Sequence, residues 1–310
     1  MKYPIKTFSA NMHGRDFVIG DLHGCLSIFE NLLRNLNFDK NVDRMFSVGD
    51  LIDRGPESLK CLSLIEEPWF HAVLANHEKM MLDFLNNDPE GFFWMQNGGA
   101  WVRDVISSAG DKQMTTKHNL PPDANKLFML QQYVKELPFL ISINLRNGKT
   151  VHIVHAELPI KKLDGSNITD IDLMDPKIVL DLSEIQTLDG SHLLWSRNIF
   201  HDFYKKDLTK QEIINLAKTS EIKTPFNDKL SHVISGHTPL KRPITFVNQT
   251  NIDTNVFDAH KKDLLPLIHT EEILGLGLTC LELNTWKFYT VRQHSFCEIN
   301  PIVITESDFG

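Results

Sequence analysis

The stretch "FVIGDLHG", Phe17 to Gly24, decides how the chain reads, because an apolar run stops abruptly in glycine, aspartate and histidine. Phe17, Val18 and Ile19 predict a short strand covered on both faces. Gly20 and Gly24 permit a sharp turn or a close approach of backbone to ligand. Asp21 and His23 then project from the strand's carboxyl end, where open α/β sheets place their sites. Alone, the motif fits ordinary turn chemistry as well as it fits a ligand site.

Repetition separates the two readings. "RMFSVGDLIDRG" leads into Asp50, Asp53 and Arg54, "FHAVLANHE" into Asn76 and His77, "TVHIVHAE" into His155, and "SHVISGHTP" into His237. Turn statistics do not deliver five strand ends that all finish in Asp, Asn or His. Between the early strands the spacing is helical. "SIFENLLRNL" puts Ile28, Phe29, Leu32 and Leu36 on one face, with Ser27 and Glu30 spaced as a capping box. "ANKLFMLQQYVKEL" predicts a helix ending before Pro138, and "GLTCLELNTWKFYTV" a hairpin around Asn284-Thr285. Alternating strands and helices give an α/β fold, richer in β toward the carboxyl half.

Composition excludes other classes. The chain has 310 residues, 42% hydrophobic and 23% charged, with a formal net charge of −8. That balance suits a globular protein and argues against a broad nucleic-acid surface. No apolar run approaches a membrane span and the opening "MKYPIKTFSANMHG" has no apolar signal core, so a cytoplasmic protein with no membrane partner is expected. Export as an effector is the alternative to that placement. Cys25, Cys61, Cys280 and Cys297 form no Cys-x-x-Cys pair and read as buried free thiols in a reducing compartment.

Asp, Asn and neutral His without cysteine make a hard-to-borderline donor set, suited to Mn²⁺, Fe or Zn²⁺ at a catalytic centre. Several carboxylates and imidazoles converging from separate strands suggest two divalent ions about 3.5–4 Å apart on a shared carboxylate. Such a pair holds water as hydroxide near neutral pH, which is phosphoester chemistry. Arg54 and a second arginine further along would grip the phosphate oxygens as planar forks. A serine or threonine alkoxide leaves poorly, so the site also needs an acid that works near neutrality, and histidine supplies one.

Taken in order, GDLHG, GDLIDRG, ANHE, HAE and GHTP resemble the phosphoprotein phosphatase family of metallophosphoesterases, in its bacterial and lambda-phage-type branch. The likeness extends through "NGGAW", "LLWSRN" and "GHTPLKRPITFVNQTNIDT" and covers Asp16 to about Val256. It implies a central β-sandwich flanked by helices (α/β/β/α), forming one catalytic domain over 1–310. Insertions would fall near 158–192, 199–230 and 258–275. It implies that Asp21 and His23 bind one metal, Asp50 bridges, and Asn76, His155 and His237 bind the second. The metals would be two divalent ions, first Mn²⁺, with Fe or Zn²⁺ as alternatives. His77 would protonate the leaving oxygen with Asp53 on its far nitrogen, while Arg54 and Arg197 hold the phosphate. The implied reaction is one-step hydrolysis of phosphoserine and phosphothreonine, extending to phosphotyrosine, by a metal-bridging hydroxide. The partner is a phosphorylated protein or peptide; oligomeric state is not specified. A symmetrical dinucleoside tetraphosphate hydrolase is the alternative.

The chain departs from the family pattern in three places: Ala75 for glycine, Glu157 for aspartate, and Asn255 for glycine. Asparagine tolerates the left-handed backbone that such a glycine serves. His71 and His152 read as satisfied core histidines, and His13, His118, His201, His260 and His294 as solvated. Trp94 and Trp101 read as core packing, Lys161-Lys162 as a surface pair, and Lys241-Arg242 as a candidate flank of the pocket.

Overall fold

Phe17, Val18 and Ile19 form the predicted strand, and the strands that pair with it fix the architecture. The computed structural model describes residues 4–107, 121–158, 166–184, 186–187, 190–204, 206–219, 229–263 and 277–309. His118, Lys161 and Lys162 lie outside these residues, as do parts of the three expected insertions. The amino-terminal half carries β1 (Ile5–Phe8), β2 (Asp16–Ile19), β3 (Arg44–Ser47), β4 (Phe70–Ala72), β5 (Leu140–Asn144) and β6 (Thr150–Ile153). Then follow β7 (Gln186–Thr187), β8 (Gly190–Ser191), β9 (His232–Ser235), β10 (Ile244–Phe246) and β11 (Gln249–Asn251). The last strands are β12 (Leu278–Glu282), β13 (Lys287–Val291), β14 (Phe296–Ile299) and β15 (Ile302–Ile304). The helices are α1 (Leu26–Asn35), α2 (Ser58–Ser63), α3 (Asn76–Leu85), α4 (Phe92–Gln96), α5 (Val102–Ser107) and α6 (Pro122–Lys135). Further on are α7 (Pro176–Glu184), α8 (His192–Trp195), α9 (Lys210–Thr219) and α10 (Val256–Asp263).

Two mixed sheets result. One runs β14-β13-β12-β2-β3-β4, the other β1-β5-β6-β9-β11-β10-β15, and β7 and β8 pair separately. In the first sheet β2, β3 and β4 are parallel, and β12 joins β2 antiparallel with Cys280 opposite Ile19. In the second, β6, β9 and β11 are parallel. Period-two alternation assigns the layers. Val18 and Phe46 from the first sheet meet Ile141, Ile143, Val151, Ile153 and Ile234 from the second, forming the core of a sandwich. Phe17, Ile19 and Met45 point the other way and pack on Ile28, Phe29 and Leu32 of α1. On the far side α9 buries Ile213, Ile214 and Ala217 against Ile244, Phe246 and Ile304. The order is therefore helix, sheet, sheet, helix, as the resemblance implied. Among the described residues no helix is long and apolar enough to cross a membrane.

Local expectations fare unevenly. The β12–β13 hairpin and the antiparallel β5–β6 pair form as read. The capping box does not. Helix α1 starts after Cys25 with no side-chain cap, and the Ser27 N–H donates to the Glu57 carboxylate, 3.2 Å away. A carboxylate distant in sequence thus does what Glu30 was expected to do. Cys25, Cys61 and Cys280 are buried free thiols, but Cys297 is exposed because it sits on the outer strand β14. His152 is satisfied by Ser142 Oγ and Asp170, and burial pushes the His71 imidazole, packed between Phe8 and Phe46, down to about 4.

Phe46 is wholly buried between the sheets, so Phe46→Ala should cost about 3–5 kcal/mol. Urea unfolding is expected to show a lower midpoint at an unchanged slope.

Candidate active site

The carboxyl ends of β2, β3 and β4 meet those of β6, β9 and β11 at one rim of the sandwich. Contacts between the sheets fix that meeting. His155 Nδ1 lies 2.8 Å from Val48 O, and the His237 N–H donates to both Asp21 oxygens, while within the second sheet the Gly236 N–H donates to His155 O. A Cβ on Gly236 would stand 2.1 Å from Asp21 Oδ1, which is why glycine precedes His237. The backbone is unusual here. His23, Asp50, Asp53, Arg54 and His237 all adopt positive φ, at 42°, 49°, 77°, 69° and 66°. Non-glycine residues pay for such angles with roughly 1 kcal/mol or more each, and surrounding structure must hold them. Glu78 does so at Asp50: its buried carboxylate accepts the N–H groups of Asp50, Leu51 and Ile52.

Asp50 occupies the centre. Its Oδ2 lies 3.6 Å from His23 Nε2 and 3.7 Å from His77 Nε2, and its Oδ1 lies 3.5 Å from His155 Nε2. The same Oδ1 accepts the His77 N–H in the first turn of α3, where helix dipole and free N–H groups favour an anion. Donor atoms of His23, Asp50 and His77 form one tight group, and those of Asp50, His155 and His237 another. Asp21 stands beside the first group, with Oδ2 at 3.9 Å from His23 Nε2. The tautomers follow from the partners. Ile52 O and Val48 O can only accept, so His23 and His155 carry their protons on Nδ1 and aim Nε2 lone pairs at the rim. Asn76 Oδ1 lies 2.7 Å from His155 Nε2, so these two candidate donors stand side by side.

The electrostatics fit the same reading. Burial holds the His23, His155 and His237 imidazoles below their ordinary range, with Arg54 or Arg197 adding to it, so they stay neutral as ligands must. Burial also works to raise the Asp50 carboxyl, but positive charge on the surrounding imidazoles, His77 first, outweighs it wherever those rings are protonated, so Asp50 lies below the usual carboxylate range and ionises before they lose their protons. Burial, then the charges of Asp253 and Asp50, pushes Asp21 well up. Burial lifts Asp253 to about 6, and burial with the charges of Asp50 and Asp53 lifts Glu78 to about 8. Asp253 Oδ1 accepts the Asn255 N–H, while its Oδ2 is buried with no hydrogen-bond partner. Four buried carboxyl groups crowd a rim served by two guanidinium groups and neutral imidazoles. Divalent cations supply the missing positive charge, and the oxygen and imidazole donors suit them.

Beside the rim, Asp53 Oδ2 lies 2.6 Å from His77 Nδ1, and Arg54 donates to His77 Nε2 at 3.1 Å and to His23 Nε2 at 2.5 Å. Arginine cannot accept, so the His77 proton sits on Nδ1 and is donated to Asp53. Arg197 Nε donates to His237 Nε2 at 3.2 Å. A pocket of about 250 Å³ opens over these groups, lined by Arg54, Arg197, Tyr204, His237, Asn255 and Asp258 among others. Lys241 and Arg242 do not line it. All the candidate residues are thus gathered around one rim. Glu157 grips the stretch that carries Arg197, accepting the Ile199 and Phe200 N–H groups and the Ser196 hydroxyl at 2.9–3.0 Å. Asn255 is left-handed at φ 62°, as read, and its side chain engages Asp258 at the start of α10. Ala75 also fits, because its Cβ fills space that Gly49 leaves empty.

Three features escape a reading by motif: Glu78 within "ANHE", Asp253 within "NIDT", and the Trp94–Trp101 pair, which the sequence marks only as core packing. Both indoles instead donate to Asp53, at 2.6 and 2.7 Å. Asp253 lies among polar neighbours that give it no distinguishing signal, and a tryptophan's partner leaves no mark in sequence.

The match to the calcineurin-like phosphoesterase family runs over residues 17–241, so this chain belongs to the calcineurin-like phosphoesterases, enzymes that hydrolyse phosphoesters. The family works with a pair of divalent metal ions. The chain is 32% identical to serine/threonine-protein phosphatase 1 of Salmonella typhimurium over 238 residues, 77% of this chain and 85% of that one. It is 38% identical to the symmetrical bis(5'-nucleosyl)-tetraphosphatase of Haemophilus ducreyi over only 68 residues, 21% of this chain and 25% of that one. Among solved structures, a cold-active protein-tyrosine phosphatase of a psychrophilic Shewanella aligns with TM-score 0.52 at 16% identity, covering 95% of this chain and 82% of that one, a likeness of fold.

Adding Mn²⁺ to chelator-treated protein should raise the melting temperature with metal concentration, since binding to the folded state stabilises it. Asp50→Asn should abolish that rise and lower the metal content found by elemental analysis. An unaltered rise would remove Asp50 from the ligand set.

Proposed function

We propose that this chain is a metal-dependent serine/threonine protein phosphatase that hydrolyses phosphomonoesters in one displacement, with phosphotyrosine within its reach. The observation that carries this reading is the His77–Asp53 pair, 2.6 Å apart and wholly buried, beside a mouth with a guanidinium on each side. Asp21, His23 and Asp50 would hold one cation, and Asp50, Asn76, His155 and His237 the other. When bound, two such cations lower the pKa of water and offset the charge of the phosphoryl group. Manganese is the ion we favour, for a site of carboxylate, amide and imidazole donors.

The remaining work belongs to side chains. Arg54 and Arg197 take the phosphoryl oxygens as forked donors and fix the ester in line for displacement. His77, held by Asp53 through Nδ1, presents Nε2 toward the mouth; as the imidazolium, with a proton on each nitrogen, it keeps the Nδ1 proton donated to Asp53 and gives the Nε2 proton to the leaving oxygen. An alkoxide needs that proton far more than a phenolate does. We read residues 1–310 as one catalytic domain whose added segments frame the mouth. Tyr204 and Asp258, from two of those segments, line the pocket in support. Sequence likeness to the protein phosphatase of Salmonella typhimurium spans most of the chain, whereas sequence likeness to the tetraphosphatase of Haemophilus ducreyi spans 68 residues, and this favours a phosphorylated protein or peptide as substrate.

A panel of phosphoserine, phosphothreonine and phosphotyrosine peptides, set against a symmetrical dinucleoside tetraphosphate, tests the substrate class with Mn²⁺ present. Faster turnover of the dinucleotide than of every peptide would overturn it. His77→Asn should lower kcat on the phosphoserine peptide by about 10²–10⁴-fold with metal content unchanged. Full activity of that variant would end the acid assignment.

A further inference from the structure

We propose that Trp94 and Trp101 are positioning residues for the leaving-group acid, acting through Asp53. This rests on the acid role given to His77 above. The two indole N–H groups donate to different oxygens of one carboxylate, Trp94 to Oδ2 at 2.6 Å and Trp101 to Oδ1 at 2.7 Å. His77 Nδ1 reaches the same Oδ2 at 2.6 Å. Bonds to both oxygens fix the carboxylate plane, so Asp53 cannot rotate away from the imidazole. An indole N–H only donates, so Asp53 must act as acceptor toward both rings, and the bond to His77 is then one that His77 donates. The imidazole is thereby held in the orientation that turns Nε2 toward the mouth.

The surroundings are shaped for this contact. Asp53 and Trp94 are fully buried, and the two indoles meet edge to face with centroids 5.9 Å apart. The Asp53 backbone is left-handed and its N–H donates to Ser58 Oγ. Between the tryptophans, Gly98 and Gly99 let the chain press down on both sides. A Cβ on Gly98, which has φ 116°, would stand 3.1 Å from Asp53 Cβ and Arg54 N, and one on Gly99 would stand 2.4 Å from the Trp94 ring. The "NGGAW" segment is fitted over the Asp53–Arg54 turn and brings two hydrogen-bond donors to it. Rings serving only to fill the core would have no need to aim both N–H groups at one carboxylate.

Phenylalanine keeps most of the ring and removes the donor, so Trp101→Phe and Trp94→Phe separate the two roles. The readout is kcat on a phosphoserine peptide relative to kcat on p-nitrophenyl phosphate, whose phenolate leaves with little help from an acid. Trp101→Phe should lower this ratio about tenfold, with KM for both substrates and metal content unchanged. The Trp101 indole N–H resonance should lie downfield and move back in Asp53→Asn. Equal losses on the two substrates, or an indole signal insensitive to Asp53→Asn, would overturn the proposal. Trp101 is only half-buried, so its variant carries the test if Trp94→Phe does not fold. His77→Asn in the same assay keeps the two readings apart. A split with His77→Asn and none with the tryptophan variants defeats the clamp alone; no split with His77→Asn defeats the acid role and the clamp together.

Discussion

A cluster of buried carboxyl groups is the constraint on which the rest of the structure depends. Asp21, Asp50, Asp253 and Glu78 sit at one rim with their carboxyl groups out of water, and desolvation opposes the ionisation of each. The fold offsets only part of that cost, through the start of α3, three backbone N–H groups on Glu78, and the Arg54 and Arg197 guanidinium groups. A protein that retains such a cluster carries an unbalanced electrostatic load, and divalent cations are its natural counterweight. The left-handed turns at His23, Asp50 and His237 belong to the same bargain, because they turn three candidate metal donors inward from strands that would otherwise run on.

The sandwich explains how so many donors reach one place. Each sheet contains three parallel strands, and parallel strands end side by side. Facing two such triplets with their carboxyl ends at a common rim brings six chain turns together. The helices then contribute support. The stretch after α8 carries Arg197 and is pinned by Glu157, and α4 with the turn after it carries the indoles. Oxygen and imidazole groups converge from distant stretches of sequence while the backbone hydrogen bonds of the strands behind them stay intact.

Much of this was legible before any coordinates. Strands at β2, β3, β6 and β9 betray themselves by short apolar runs, and the residue that ends each run is the ligand candidate, so local pattern and function coincide. What stayed hidden is whatever depends on a partner far along the chain. Ser27 and Glu30 have capping-box spacing, yet Glu57 reaches the Ser27 N–H first because α2 packs beside α1. Trp94 looks the same in sequence whether or not its N–H is used, and only the placement of Asp53 reveals the difference. Asp253 follows an ordinary strand, β11, and carries no motif of its own. Contact across the sandwich, and not residue type, defines its surroundings.

The antiparallel pairing of β12 with β2 has a consequence for how the molecule comes into being. Ile19 waits for Cys280, far along the chain from it. A ribosome delivers β2, β3 and β4 in close succession, but one flank of β2 stays open until β5 to β11 have emerged. Closing so long a loop is slow, and an unsealed strand edge invites adhesion to neighbouring nascent chains. Assembly of the rim therefore leans on strands made long after β2, although none of them carries a candidate metal donor.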